Sequence, residues 1–324
     1  MAEVITSPSN PKIKRLLALQ QKSSARREAG LFVVEGQREL QHCIDAGFEI
    51  DTVFVCTSLH GSQPLQTSCC AGPLPRPSEA GPSLLRSRGW LRSGEAAAAS
   101  AASQTATGAA SGPDRDSDYP AIPLEGVQGV KKPRIFEVNR EVYEKIAIRD
   151  GSEGVIAEVK AKERKLEELK LPERPLVVVL ESVEKPGNLG AVLRSADAAG
   201  ADAVLICDPL TDLWNPNLIR ASIGAVFTVP CVACGSAEAI AFLKARGIRI
   251  LTAQLQDSSL YYDCDMTVGT ALVMGTESTG LTDAWREAAD AHIRIPMLGA
   301  LDSLNVSVSA AILLFEAVRQ RQHE

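Results

Sequence analysis

No stretch of this 324-residue chain approaches the ~18 consecutive apolar residues that a membrane-spanning helix requires. The opening MAEVITSPSNPKIKRLL also lacks the apolar core and cleavage signature of a secretory signal, so the expected compartment is the cytoplasm, away from membranes. Cysteines are sparse. Eight of them, with Cys69 adjacent to Cys70, do not make the dense framework of a small secreted domain and are expected to be free thiols. Cys231 and Cys234 form a lone C-x-x-C with no second pair and no histidine partner for zinc, so no metal is expected. The pair reads either as a redox couple or as ordinary small residues near a strand end, and the second reading is favoured. Surplus positive charge is missing too. The net charge of −6 and a pI near 5.5 argue against a protein that coats nucleic acid through bulk charge, but do not exclude local binding.

What is present is enough apolar material, 45% of residues, for a sizeable core, and a length that suggests two domains. Residues 9–27, SNPKIKRLLALQQKSSARR, carry Lys12, Lys14, Arg15, Lys22, Arg26 and Arg27 without one carboxylate. Such a run either grips phosphates or is a solvated helix face. From about 58 to 130 more than half the residues are Ala, Gly, Pro or Ser, a low-complexity insertion unlikely to bury enough surface to fold. It interrupts a regular rhythm. Upstream, Leu31 to Val34 and Val53 to Val55 read as strands around a helix containing Leu40 and Ile44; downstream, RIFEVNREVYEKIA and GVIAEVK resume the pattern. One α/β domain over 1–160, interrupted by the insertion, is therefore expected. The charged, helix-prone 161–173 reads as a linker that stops at Pro172 and Pro175.

Beyond it, 174–324 alternates apolar strands with helices, the pattern of a parallel sheet covered on both faces. LVVVLESV, ADAVLICD, IRILTAQ and TALVMGTE are strands, and NPNLIRASIGAVFTVP is a helix followed by a strand. The last stretch, DSLNVSVSAAILLFEAV, is a helix with a polar first turn; Ile312, Leu313, Leu314, Phe315 and Val318 cover so much of its circumference that it is expected to be internal. Ligands of an open parallel sheet bind beyond the carboxyl ends of its strands. Three loops lie there. ESVEKPGNLGAVLRSADAAG lacks the G-x-G-x-x-G spacing of a dinucleotide site, and its Arg194 either pairs with Asp197 or offers its fork to a phosphate or ribose. LVMGTESTGL sets Glu277 between Gly275 and Gly280, and IRIPMLGALDSLNVSVS leads through Pro296 and Gly299 into the final helix.

In this order the three loops resemble the signature motifs of the SpoU/TrmH family of RNA ribose 2′-O-methyltransferases, within the SPOUT superfamily. The first matches at Asn188, Gly190 and Arg194; the second at Gly275, Glu277, Gly280 and Leu281; the third at Pro296, Ser303, Leu304, Asn305 and Ser307. NPNLIRASIGAVF adds Asn215, Pro216, Arg220, Ser222 and Gly224, so the resemblance covers essentially all of 174–324. ITSPSNPKIKRLLAL with FVVEGQREL resembles the ribosomal-protein-like α/β module with which many members recognise RNA. The resemblance implies a C-terminal deep trefoil knot, a homodimer with active sites near its interface, and S-adenosylmethionine as cofactor. It implies cofactor contacts at Thr252, Gly275, Ile295, Pro296, Leu304 and Asn305, and catalytic roles for Arg194, Asn188, Glu277, Ser303 and Asn305. RNA contacts are expected at Lys12, Lys14, Arg15, Arg26, Arg27 and Arg220.

The expected reaction is methylation of a ribose 2′-hydroxyl in RNA, with large-subunit (23S-type) ribosomal RNA ahead of transfer RNA. The competing class is a catalytically silent RNA-binding or ribosome-assembly factor. The joint presence of Arg194, Glu277, Ser303 and Asn305 argues against silence, since a scaffold does not require them together.

Overall fold

The protein is described here by a computed structural model covering residues 3–60, 133–149, 151–276 and 279–322. All but the first three residues of the low-complexity insertion, 58–130, lie outside the described residues. Two sheets organise the rest.

The first sheet is built by β1 (Glu3–Ile5), β2 (Leu31–Glu35), β3 (Ile50–Val55), β4 (Arg134–Val138) and β5 (Val155–Lys160), in the order β1-β4-β3-β5-β2. Its helices are α1 (Pro11–Gln21), α2 (Ser23–Ala29), α3 (Gln37–Asp45), the single turn α4 (Thr57–His60) and α5 (Arg140–Ile146). The sheet is mixed, with β1, β4 and β3 parallel and β5 antiparallel to both β3 and β2. β3 and β4 pair directly although the insertion separates them in sequence. Asn10 starts α1 by accepting from the Lys12 N–H at 2.9 Å, and Pro11 occupies the first helical position where no N–H is needed.

The second sheet has seven strands, all parallel: β6 (Leu176–Glu181), β7 (Ala203–Cys207), β8 (Cys231–Cys234), β9 (Arg249–Ala253), the short β10 (Ser259–Leu260), β11 (Thr270–Met274) and β12 (Ala291–Arg294). The order is β10-β12-β9-β11-β6-β7-β8. α6 (Pro186–Ala199), α7 (Pro216–Ser222), α8 (Ala225–Thr228), α9 (Ser236–Ala245), α10 (Asp283–Ala288) and α11 (Val306–Gln322) complete it. β6, β7 and β11 are buried along their whole lengths, which is why they read as continuous apolar runs. The α/β class and the parallel sheet therefore stand as read from sequence.

Three local readings change. The stretch 161–173 forms only a 3-10 turn at Leu166–Glu168, and it packs: Leu166 and Leu169 join the core of the second sheet beside Phe242 and Val232. NPNLIRASIGAVFTVP is two short helices, broken where Ile223 and Gly224 take left-handed conformations (φ 52° and 82°), and its strand begins only at Cys231. α11 is not internal on all sides. Val306, Ala310, Leu313, Leu314 and Ala317 are buried, but Val308 is 46% and Phe315 50% exposed, because elements of one chain cover only one side of the helix. Cys231 and Cys234 do not face each other: they pack into cores on opposite faces of the sheet, and the Cys234 sulfur instead lies 4.0 Å from that of Cys207. Among the described residues no helix is long and apolar enough to cross a membrane, and no cluster of His, Cys, Asp or Glu could hold a metal ion.

The two sheets are joined by rings. Phe32 of β2 stacks on Trp214 with centroids 4.5 Å apart, and Phe48 and Phe227 pack edge-on at 5.4 Å. Arg26 reinforces this seam. Its guanidinium, 4% exposed, donates to Asp212 Oδ2 at 2.6 Å and to the Leu19 carbonyl at 2.7 Å. Breaking a buried ion pair from one side strands its partner. Arg26→Ala is therefore expected to lower unfolding stability by about 3 kcal/mol, read by denaturant titration, with exposed Arg27→Ala near wild type.

Candidate active site

A parallel sheet sets all its strand ends at one edge, and the loops after β6, β11 and β12 hold the three sequence motifs. The first and third meet. Asn188, in the first turn of α6, accepts from Asn305 Nδ2 at 3.1 Å across a gap of 117 residues. Asn305 also begins α11, its Oδ1 accepting from the Ser307 N–H at 3.0 Å and the Ser307 hydroxyl at 2.6 Å. The polar start of the last helix therefore both caps the helix and joins the site. Ser303 precedes the helix and bonds Asp302 at 3.3 Å; Leu304 is 37% exposed and Pro296 exposed.

The second motif is a loop closed on itself. Thr276 and Gly280 exchange main-chain hydrogen bonds of 3.3 and 3.1 Å. A methyl group on Gly275 would sit 2.7 Å from the Leu281 nitrogen and closer still to the Gly280 carbonyl, so only glycine permits this approach. Glu277 lies outside the described residues. Thr252, wholly buried in β9, pairs through Oγ1 with His292 Nδ1 at 2.6 Å, and Ile295 is half-buried against the main core. These residues suit a ligand held chiefly through backbone groups. A further observation fits a bound molecule here: Gln254 Oε1, just past β9, is buried without a hydrogen-bond partner.

Arg194 is exposed on α6 and has no ion pair among the described residues; Asp197 instead accepts from Thr228 Oγ1 at 2.6 Å. The structural alternative for Arg194 is thus removed. Other motif residues serve packing. A methyl on Gly190 would lie 2.6 Å from Ala221 Cβ and 2.8 Å from the Ser222 nitrogen, so this glycine lets α6 and α7 touch. Ser222 bonds the Ile219 carbonyl at 2.8 Å, and Gly224 receives the His42 ring. Arg220 is exposed on α7 and lines a small gap with Glu35 and Arg149.

The basic run of α1 and α2 is less cationic in three dimensions than in sequence. Lys12 pairs with Glu3 at 2.6 Å, and Arg15 pairs with Asp51 at 3.2 Å and with Glu158. Burial pushes the Glu158 carboxyl up, against the pull of Arg15. Arg26 faces inward, as described, while Lys14 and Arg27 remain exposed and unpaired among the described residues. The carboxylates that neutralise this run come from β1, the start of β3, β5 and the loop after β7, which local sequence could not reveal.

One group was missed altogether. Glu181, 2% exposed at the end of β6, accepts from the Thr282 N–H at 2.9 Å and the Thr282 hydroxyl at 2.7 Å. Ser236 lies 3.3 Å from it, donates to Asp208 at 2.6 Å, and accepts from the Trp285 indole at 3.0 Å. This junction fixes the outgoing end of the second-motif loop. A carboxylate ending the apolar strand LVVVLE was its only sequence signal.

A family model described as the SpoU rRNA Methylase family matches residues 175–315, and one described as the MRM3-like substrate binding domain matches 10–72. The chain is 38% identical over 177 residues to the 23S rRNA (guanosine-2′-O-)-methyltransferase RlmB of Pseudomonas putida, covering 52% of this chain and 71% of that protein. The Vibrio cholerae protein of the same name is 37% identical, covering 58% and 78%. Among solved structures, an RNA 2′-O ribose methyltransferase superposes with a TM-score of 0.69 at 33% identity, over 98% of this chain and 99% of that one. An AdoMet-bound rRNA methyltransferase from Sinorhizobium meliloti gives 0.71 at 25% identity, over 98% of each.

Gly275→Ala is expected to weaken S-adenosylmethionine binding at least about tenfold, the ~1.4 kcal/mol that even slight displacement of this loop would cost. Titration calorimetry reads the affinity, and an unchanged value would dissociate this loop from cofactor binding.

Proposed function

The chain belongs to the SpoU rRNA methylase family, and from that premise we propose that it methylates a ribose 2′-hydroxyl of large-subunit ribosomal RNA, using S-adenosylmethionine. The observation that carries this reading down to side chains is the Asn305–Asn188 hydrogen bond, which unites the first and third motifs at the strand-end edge of the sheet. The proposed compartment is the cytoplasm.

S-adenosylmethionine supplies, when bound, a methyl group already activated by its sulfonium. The protein must hold a ribose hydroxyl in line and let its proton leave as the new bond forms. Thr252, Gly275, Ile295, Pro296, Leu304 and Asn305 hold the cofactor in this reading. Arg194 is the cation of the site. A guanidinium stays protonated in proteins, so Arg194 stabilises developing alkoxide charge or fixes a substrate phosphate, and the proton departs through phosphate or water. Asn188, Glu277, Ser303 and Asn305 position the ribose and Arg194. The exposed position of Arg194, with no internal partner among the described residues, supports a role toward a ligand.

Residues 1–160 form the proposed RNA-reading module, 161–173 the connection and 174–324 the methyltransferase domain with a C-terminal trefoil knot. Of the cations named from sequence for RNA, Lys14, Arg27 and Arg220 are exposed and in no ion pair among the described residues. Two copies are proposed to pair through α11. Val308 and Phe315, seven residues apart and both about half exposed, form an apolar stripe that a partner would cover.

Arg194→Ala is expected to abolish methyl transfer, by roughly 100-fold or more as for loss of a transition-state charge partner, while S-adenosylmethionine affinity persists. The assay is transfer from labelled cofactor to ribosomal RNA lacking the modification, with the ribose mapped by resistance to alkaline cleavage. Near-normal turnover in Arg194→Lys would sink the guanidinium role. Independently, Phe315→Glu should turn a dimer into a monomer in light scattering; a wild-type monomer would refute the pairing.

A further inference from the structure

A cavity of about 1250 Å³ among the described residues is lined by none of the residues named from the three motifs. It opens beside β8, the strand at the opposite edge of the second sheet from β12. Its walls come from α2, the connection 162–167, the loop 209–214 and α9. At this size it exceeds the ~300–1,000 Å³ of ordinary small-molecule sites, and its lining is not that of an apolar cofactor pocket. Arg27, Lys162, Arg164 and Lys165 line it, and none is held in an ion pair among the described residues. Arg246 lies flat on the Phe242 ring, 3.9 Å from its centroid, at another wall.

Four carboxylates also line the cavity, and one of them, Asp212, is balanced by a buried cation. Asp212 accepts from Arg26 at 2.6 Å and from the Trp214 N–H at 2.9 Å, and Glu238 accepts from the Gly235 N–H at 3.0 Å. Glu163, Glu167 and Glu238 remain against the five cations. Aromatic surface is interleaved with this charge. Trp214 and Phe48, both half-buried, reach the cavity, with Trp214 braced from behind by Phe32, while Phe242 is buried beneath Arg246. Cations along a groove with rings between them are the general means of holding a single nucleic-acid strand, phosphates on the charges and bases on the rings.

We propose that this cleft holds a single-stranded segment of the RNA substrate beside the target nucleotide. The inference rests on the RNA-methyltransferase reading and adds a surface to it. Continuity with the active site supports the assignment: the Thr211 hydroxyl, on the cleft rim, donates to the Glu184 carbonyl in the loop that leads to Asn188. The seam at Arg26 and Asp212 fixes the wall contributed by α2. RNA lying in the cleft is therefore held by both halves of the protein.

The test uses the full chain with Lys162→Ala, Arg164→Ala and Lys165→Ala combined, checked for an unchanged melting temperature. Binding of a short unstructured RNA oligonucleotide is measured against salt, in parallel with duplex RNA of the same length. The triple variant is expected to lose about tenfold or more in oligonucleotide affinity, and its salt slope to shrink by about 2, since each phosphate contact contributes ~0.7 for single strands. KM for ribosomal RNA should rise, with S-adenosylmethionine affinity at wild type. Unchanged affinity and slope would overturn the proposal, and methyl transfer by the wild type, measured alongside, would show that the function itself stands. Weakened binding that tracks a change in oligomeric mass would also overturn it, assigning the cleft to a second copy of the chain.

Discussion

Seven strands running in one direction constrain everything else in the catalytic half of this protein. A parallel sheet cannot use hairpins, so each strand returns through a crossover, and all the carboxyl ends collect at one edge. Loops distant in sequence are thereby neighbours in space. The hydrogen bond between Asn188 and Asn305, 117 positions apart, is a product of that geometry, as is the proximity of Thr252 in β9 to His292 in β12. The edge also explains why glycine is needed where it is. Gly275 lets a returning loop close against its own main chain, and Gly190 lets two covering helices approach until side chain meets backbone.

The second constraint is the seam between the sheets. Phe32 and Phe48 from one half meet Trp214 and Phe227 from the other, and Arg26 reaches across to Asp212. Rings contribute area and the ion pair contributes direction, since a buried guanidinium tolerates few arrangements of its partners. The same residues that fix the two halves relative to each other also shape the cleft beside β8. The ring cluster and ion pair that join the two sheets contain no residue of the three motifs.

Much of this was legible beforehand because burial on both faces writes itself into sequence as apolar runs: LVVVL, AVLIC and TALVM are strands in the structure as in the reading. The candidate site was read for another reason, a family resemblance carried in order by Asn188, Arg194, Gly275 and Asn305. What failed to show was whatever depends on residues far away. Arg15 and Arg26 read as surface cations because Glu158 and Asp212 are 143 and 186 positions distant. The stretch 161–173 read as a charged, helix-prone linker, and nothing local showed that Leu166 and Leu169 reach a core made elsewhere. Glu181 was overlooked because a single carboxylate at the end of a strand carries no pattern, and only its bonds to Thr282 give it a meaning.

The contrast between Arg26 and Arg194 states the physical criterion most directly. Both are guanidiniums on helices, and both looked available to RNA or substrate. Arg26 is enclosed, and its donors are consumed by a carboxylate and main-chain carbonyls, so its charge is already balanced inside the fold. Arg194 is exposed and in no ion pair among the described residues, and Asp197, three positions on, accepts from Thr228 instead. A guanidinium cannot discharge itself by losing a proton. Charge that the fold leaves uncompensated is charge that a polyanionic substrate can meet, and that difference, not the residue type, separates Arg26 from Arg194.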